Sequence, residues 1–156
     1  MNIERIAVIG GGTMGNGIAH VAAQHGKQVR LLDLDQEVLD RAVGTIARNL
    51  DRQVKKERID QAARDATLER IEVGTDLAAG VADVDLVVEA VPEKPELKAS
   101  IFRTLDQAAP EGAILASNTS SISITEIAAH TKRPEQVIGM HFMNPVPVMA
   151  LVEVIK

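Results

Sequence analysis

The 156-residue sequence predicts an α/β fold: a mostly parallel sheet with helices on both faces and a long helical excursion after the second strand. Two observations carry this. Short apolar runs of strand length alternate with longer segments whose apolar residues recur every three or four positions. A glycine-rich turn joins the first such run to the first such segment.

Ile3 to Ile9 is an apolar run that suits a buried parallel strand. Thr13 to His25 is helical, with Ile18, Ala19, Val21, Ala22 and Ala23 as its apolar face and Gly26 as its stop. Gln28 to Asp33 reads as a second strand. Asp35 can cap a helix running to about Lys56, with a stripe of Val38, Leu39, Ala42, Ile46, Leu50 and Val54. A helix over Gln61 to Arg70 and a strand over Ile71 to Val73 complete the excursion. Asp85 to Ala90 is the next strand, and Pro92 and Pro95 open a helix over about Glu96 to Ala108. A strand follows at Ala113 to Ser117, a short helix at Ile124 to His130 and a strand at Gln136 to His141. A loop at Asn144 to Pro147 leads to the last strand, Leu151 to Ile155.

The turn Gly10-Gly11-Gly12-Thr13-Met14-Gly15 has the Gly-x-Gly-x-x-Gly spacing of a Rossmann-type dinucleotide site. Gly10 permits the tight turn, Gly12 lets a pyrophosphate approach the backbone, and Gly15 lets helix and strand pack closely. Thr13 and Met14 start the helix whose free N–H groups face the phosphate. Asp33 follows Gly10 by 23 positions, near the ~20 expected for the acid that takes the ribose hydroxyls. A carboxylate there repels a 2′-phosphate and favours NAD over NADP. Asp35 is the competing acid, but it reads as a helix cap.

Composition removes other classes. There is no cysteine, which excludes disulfides, zinc–thiolate sites and a thiol nucleophile, and no metal site is expected. With no tyrosine, the chain also lacks the catalytic residue of a short-chain dehydrogenase. The net charge is −5, and the one basic cluster, Arg52 to Arg58, is interrupted by acids, so no nucleic-acid partner is expected. No apolar run is long enough to span a membrane, and a cytoplasmic location is the default expectation.

Among four histidines, His20, His25 and His130 read as packing or surface residues. His141 stands at the carboxyl end of a strand, where open α/β sheets bind ligands. Glu153 falls opposite it if the chain reverses near Pro147. Such a pair suits a general base, although spacing alone equally allows a strand-end histidine and a surface glutamate. Asn118-Thr119-Ser120-Ser121 places hydroxyls at the same edge, or simply caps the next helix.

Together these segments resemble the 3-hydroxyacyl-CoA dehydrogenase family. The matching stretches are Val8 to Gly17, the strand ending at Asp33, Val88 to Glu93, Ser117 to Ile124, Gly139 to Met149 and Leu151 to Ile155. The resemblance implies NAD-dependent oxidation of an L-3-hydroxyacyl-CoA to the 3-ketoacyl-CoA. It implies His141 as base, Glu153 as its partner and Ser120 beside the substrate hydroxyl and the nicotinamide. It further implies Glu93, Lys98 and Asn144 as NAD contacts, with Asn144 also near the substrate, and Lys56 and, more weakly, Asn49 as contacts to CoA. Met143 replaces the family's usual phenylalanine, and Ala150 its frequent lysine. Family members continue into a helical C-terminal domain that completes the substrate site and the homodimer interface. Residues 1–156 are accordingly expected to form the NAD-binding domain alone, weakly active or inactive without that half. A stand-alone, non-catalytic NAD-binding module is the alternative. A 2-hydroxyacid or 6-phosphogluconate dehydrogenase is disfavoured by His141-Phe142-Met143-Asn144-Pro145.

Overall fold

The structure is a computed structural model that describes all residues, Met1–Lys156. Its elements run β1 (Arg5–Ile9), α1 (Thr13–Gln24), β2 (Gln28–Leu32), α2 (Gln36–Lys55), α3 (Gln61–Glu69), β3 (Ile71–Gly74), α4 (Leu77–Gly80), β4 (Leu86–Glu89), α5 (Pro95–Ala108), β5 (Ile114–Ser117), α6 (Ile124–Ala128), a 3-10 turn (Pro134–Gln136), β6 (Val137–Phe142) and β7 (Val152–Ile155). One seven-stranded sheet has the order β3-β2-β1-β4-β5-β6-β7. Every pairing is parallel except β6 with β7. The order reverses between β1 and β4, and the sites described below open at the carboxyl ends of these strands, as open α/β sheets require.

Strand alternation divides the core in two. Val8, Leu31 and Val88 face one side, against Ile18 and Ala19 of α1 and Leu39, Ala42, Ile46 and Leu50 of α2. Ala7, Leu32, Val87 and Leu115 face the other, against Ile101, Phe102 and Leu105 of α5 and Ile127 of α6. The expected α2 stripe is thus the buried one, with Val38 and Val54 half-exposed at its ends. Asp35 caps α2 by accepting from Glu37 N–H at 2.9 Å. Gly26 takes the left-handed φ of 90° that ends α1.

Two α-helices differ from the sequence reading, and the 3-10 turn takes Gln136, expected to open a strand. α4 was not expected, because its four residues are too few to show a period. It exists because Asp76 accepts from Ala79 N–H at 3.1 Å and because Gly80 lies against Leu32, where a Cβ would not fit. The short helix α6 ends at Ala128 rather than at His130.

His20, read from the sequence as a packing or surface residue, is a packing one. It lies wholly buried between α1 and α2, with Nε2 2.8 Å from Gln24 Oε1 and Nδ1 unpartnered. Burial pushes its pKa below the usual 6.5, against the opposing effect of the Gln24 hydrogen bond. The unfolded chain therefore binds the proton more readily than the folded one. Stability is full above pH 6.5 and falls as the pH drops below it. We expect the melting temperature to fall between pH 7 and pH 5, and the slope to flatten in His20→Gln. An equal slope in that variant would assign the loss to other groups.

Candidate active site

The glycine turn is shaped as its spacing requires. Gly10 has a φ of 102°, and a Cβ there would sit 2.6 Å from the carbonyl oxygen of Ala90. A Cβ on Gly15 would run into the carbonyl oxygen of Gly10. A Cβ on Gly12 would meet nothing within 4 Å, so the space above the start of α1 is open. α1 has no side-chain cap and no acid in its first turn, which leaves its N-terminal N–H groups and dipole to an anion. Asp33 directly follows β2, and its carboxylate accepts from Gly11 N–H at 2.9 Å and Asp35 N–H at 3.0 Å. These two bonds fix the acid beside the turn, while Asp35 is occupied in capping α2.

On the far side of Asp33 lies an apolar cavity of about 330 Å³, walled by Leu34, Leu77, Val91, Leu97 and Ile101. Leu34 is 89 % exposed and Leu97 37 % at its mouth. Sequence reading missed this cavity. Its walls come from the end of β1, the end of β2, α4, α5 and the loop after β4, and no local spacing relates them.

A second cavity, of about 310 Å³, collects most of the remaining residues. Met14, Glu93, Lys98, Ser120, His141 and Asn144 all line it. His141 of β6 faces Glu153 of β7 in the antiparallel register, with Nδ1 3.2 Å from Oε2. An Nδ1–H donated to that carboxylate leaves Nε2 as the free lone pair. The loop after His141 is seated by Val146, which packs where a Cβ on Gly17 of α1 would otherwise sit. The Asn144–Pro145 peptide within it is cis.

Behind Ser120 lies a buried polar network. Glu89, at the end of β4, is fully buried, and Lys98 of α5 is 1 % exposed. Lys98 Nζ donates to Glu89 Oε2 at 2.6 Å and to the Val91 carbonyl at 3.2 Å, and lies 3.1 Å from Glu93 Oε1. Thr119 Oγ1 and Ser121 Oγ, on either side of Ser120, donate to Glu93 Oε2 at 2.6 and 2.8 Å. Burial works to raise the Glu93 carboxyl, but the hydrogen bonds from Thr119, Ser121 and Lys98 outweigh it and hold it below the usual carboxylate range. The clasp on Ser120 is therefore intact at neutral pH and loosens only as acid protonates Glu93. Asn118 Oδ1 accepts from Phe142 N–H at 2.8 Å, tying this loop to the strand of His141.

A family model described as "3-hydroxyacyl-CoA dehydrogenase, NAD binding domain" matches residues 5–156. The chain belongs to this family. The assignment agrees with the fold and the cofactor expected from the sequence, and NAD is the cofactor the domain binds. The open space over Gly12, the uncapped α1 and the tethered Asp33 fit that cofactor.

The chain is 48 % identical over its whole length to a 3-hydroxyadipyl-CoA dehydrogenase of Escherichia coli K12, of which it covers 33 %. It is 50 % identical, over 99 % of its length, to a 3-hydroxybutyryl-CoA dehydrogenase of Bradyrhizobium diazoefficiens, of which it covers 52 %. The crystal structure of a 3-hydroxybutyryl-CoA dehydrogenase from Escherichia coli K12 superposes with a TM-score of 0.96 and 48 % identity, over 99 % of this chain and 32 % of that one. The chain thus spans between a third and about half of the length of these relatives.

Asn49 and Lys56 do not line the cavity of His141. Both lie towards the far end of α2, seven positions apart and so nearly on one helical face, with Lys56 exposed at the C-cap. Between them Gln53 accepts from Gln24 Nε2 of α1 at 2.7 Å, so this polar stripe of α2 runs alongside α1. No helix is long and apolar enough to cross a membrane.

Proposed function

We propose that this chain is the cofactor half of an NAD-dependent L-3-hydroxyacyl-CoA dehydrogenase, oxidising the 3-hydroxyl of an acyl-CoA. The observation that carries the reading is the His141–Glu153 pair, set across β6 and β7 on the cavity that Ser120, Glu93 and Asn144 share. Bound NAD supplies the hydride acceptor. His141 Nε2 takes the hydroxyl proton, and Glu153 holds the ring and stabilises the imidazolium that results. Ser120 orients the substrate hydroxyl, Asn144 and Glu93 meet the nicotinamide end, and Asp33 takes the adenosine ribose. The cavity beside Leu34 and Leu77 receives the adenine.

Lys56 supplies a cation to the phosphates of CoA, with Asn49 beside it. Val148, Met149, Leu151, Val154 and Ile155 are exposed along the sheet edge at β7, which suits cover by the helical half that longer relatives have room for. That half completes the acyl site and the homodimer. The absence of cysteine and the acidic net charge accord with a cytoplasmic enzyme acting without nucleic acid.

Titration with NADH tests the cofactor site, and the lack of Trp and Tyr leaves the nicotinamide fluorescence unobscured. We expect a roughly micromolar Kd for NADH and at least about tenfold weaker binding of NADPH. Equal affinity for the two would refute the role given to Asp33, and no NADH binding would refute the site as a whole.

A further inference from the structure

Glu89 has no place in the reaction above, although it is a fully buried carboxylate beside its machinery. Such a group is costly unless every oxygen is satisfied. Here each is. Oε2 accepts from Lys98 Nζ and from Val91 N–H at 2.8 Å, and Oε1 accepts from Ser117 Oγ at 2.6 Å. Ser117 Oγ lies in turn 3.3 Å from Thr119 N–H, and Thr119 reaches Glu93. Glu89 therefore joins, from the buried side, three things that Glu93 joins from the cavity side: the ammonium on α5, the turn after β4 that leads to Glu93, and the end of β5 that leads to Ser120.

The odd positions Ser117, Thr119 and Ser121 all turn their hydroxyls to the two carboxylates. Ser120, between them, is left exposed on the cavity. Moreover, the three protons of the Lys98 ammonium are all engaged, by Glu89, Val91 and Glu93. A ribose hydroxyl that meets Lys98 must share or replace one of these contacts. The 2.6 Å bond to a carboxylate with no exposure is the one least open to exchange.

We propose that Glu89 is a positioning residue for the nicotinamide half of the site, holding Lys98 from behind and Ser120 through Ser117. The inference rests on the cofactor reading given above. It separates the two halves of the dinucleotide, because the adenosine half is held by the glycine turn, Asp33 and the cavity beside Leu34, and of these Glu89 hydrogen-bonds only the backbone N–H of Val91.

The test compares two ligands on the same chain. NADH is titrated by fluorescence and ADP by calorimetry, for the unsubstituted protein, Glu89→Gln and Ser117→Ala. Glu89→Gln keeps the shape and removes the charge. Ser117→Ala removes one small hydroxyl and keeps the Glu89–Lys98 pair. We expect Glu89→Gln to weaken NADH by about tenfold, the loss of one charge-assisted contact, with ADP unchanged. Ser117→Ala is expected to weaken NADH by roughly threefold, the scale of one neutral hydrogen bond, again with ADP unchanged. A purely structural role for Glu89 would weaken both ligands together, and that result would overturn the proposal, as would unchanged NADH affinity in both variants. If Glu89→Gln does not fold, Ser117→Ala decides the matter by the same ratio. If the unsubstituted chain binds ADP but not NADH, the cofactor reading itself fails; if it binds both and the variants match it, only the role of Glu89 fails.

Discussion

Lys98→Met should remove a large fraction of the stability of the domain. The side chain is 1 % exposed, and its ammonium is the only cation within reach of Glu89, which has no exposure at all. Methionine fills much the same volume, so the packing of α5 is kept and the change is one of charge. Breaking a buried pair from one side costs about 3–5 kcal/mol, because the surviving charge is left without its partner. A domain of this size has only about 5–15 kcal/mol in total. With a urea m-value of about 2 kcal/mol/M, the midpoint should fall by roughly 2 M. The exposed pairs give the contrast. Arg64 with Asp51 and Arg5 with Asp83 are solvent-facing, and their loss should move the midpoint little. The compensated variant Glu89→Gln/Lys98→Met should recover most of the loss, since both charges leave together. Urea unfolding followed by circular dichroism measures all three. A midpoint for Lys98→Met within about 0.3 M of the unsubstituted chain would show that the pair carries no such weight.

The fold was legible because each of its signals is local. The α2 stripe, the glycine turn and the cap at Asp35 all lie within a few residues of one another, and all formed where expected. α4 escaped notice because a four-residue helix has no period, only the cap at Asp76. The pairing of His141 with Glu153 followed from assuming a reversal near Pro147, and the β6–β7 register places the two directly opposite. Glu89 was a different case. In the sequence it is one acid at the end of an apolar strand, and its lysine comes nine positions later, past two prolines. Only the climb from β4 into α5 brings them to 2.6 Å, and only β5, further on, brings Ser117 to the other oxygen. The cavity beside Leu34 was hidden for the same reason, since five separate segments build it. What sequence reading could not reach was the set of contacts whose partners belong to different crossovers of the sheet.

His141→Gln should abolish the oxidation without touching the cofactor. The measurement requires the chain joined to the substrate-side half that relatives of greater length have room for, with 3-hydroxybutyryl-CoA as substrate and NADH formation as the signal. Glutamine still offers an oxygen and an amide near the position of the imidazole, but it cannot accept a proton at neutral pH. Loss of a positioned general base lowers kcat by about 10²–10⁴. The Kd for NADH should stay within about twofold, because the proposed reaction sets the imidazole against the substrate hydroxyl rather than the dinucleotide. Glu153→Gln should cost less. Its carboxylate is 52 % exposed, and water replaces part of what it provides, so the ring loses orientation and imidazolium stabilisation but keeps its basic nitrogen. The pair should also act as a unit: adding Glu153→Gln to His141→Gln should lower kcat little further, since there is then no imidazolium for the carboxylate to stabilise. Full activity in His141→Gln would move the proton to another group on the cavity. Additive losses in the double variant would mean that Glu153 acts on the substrate rather than on His141.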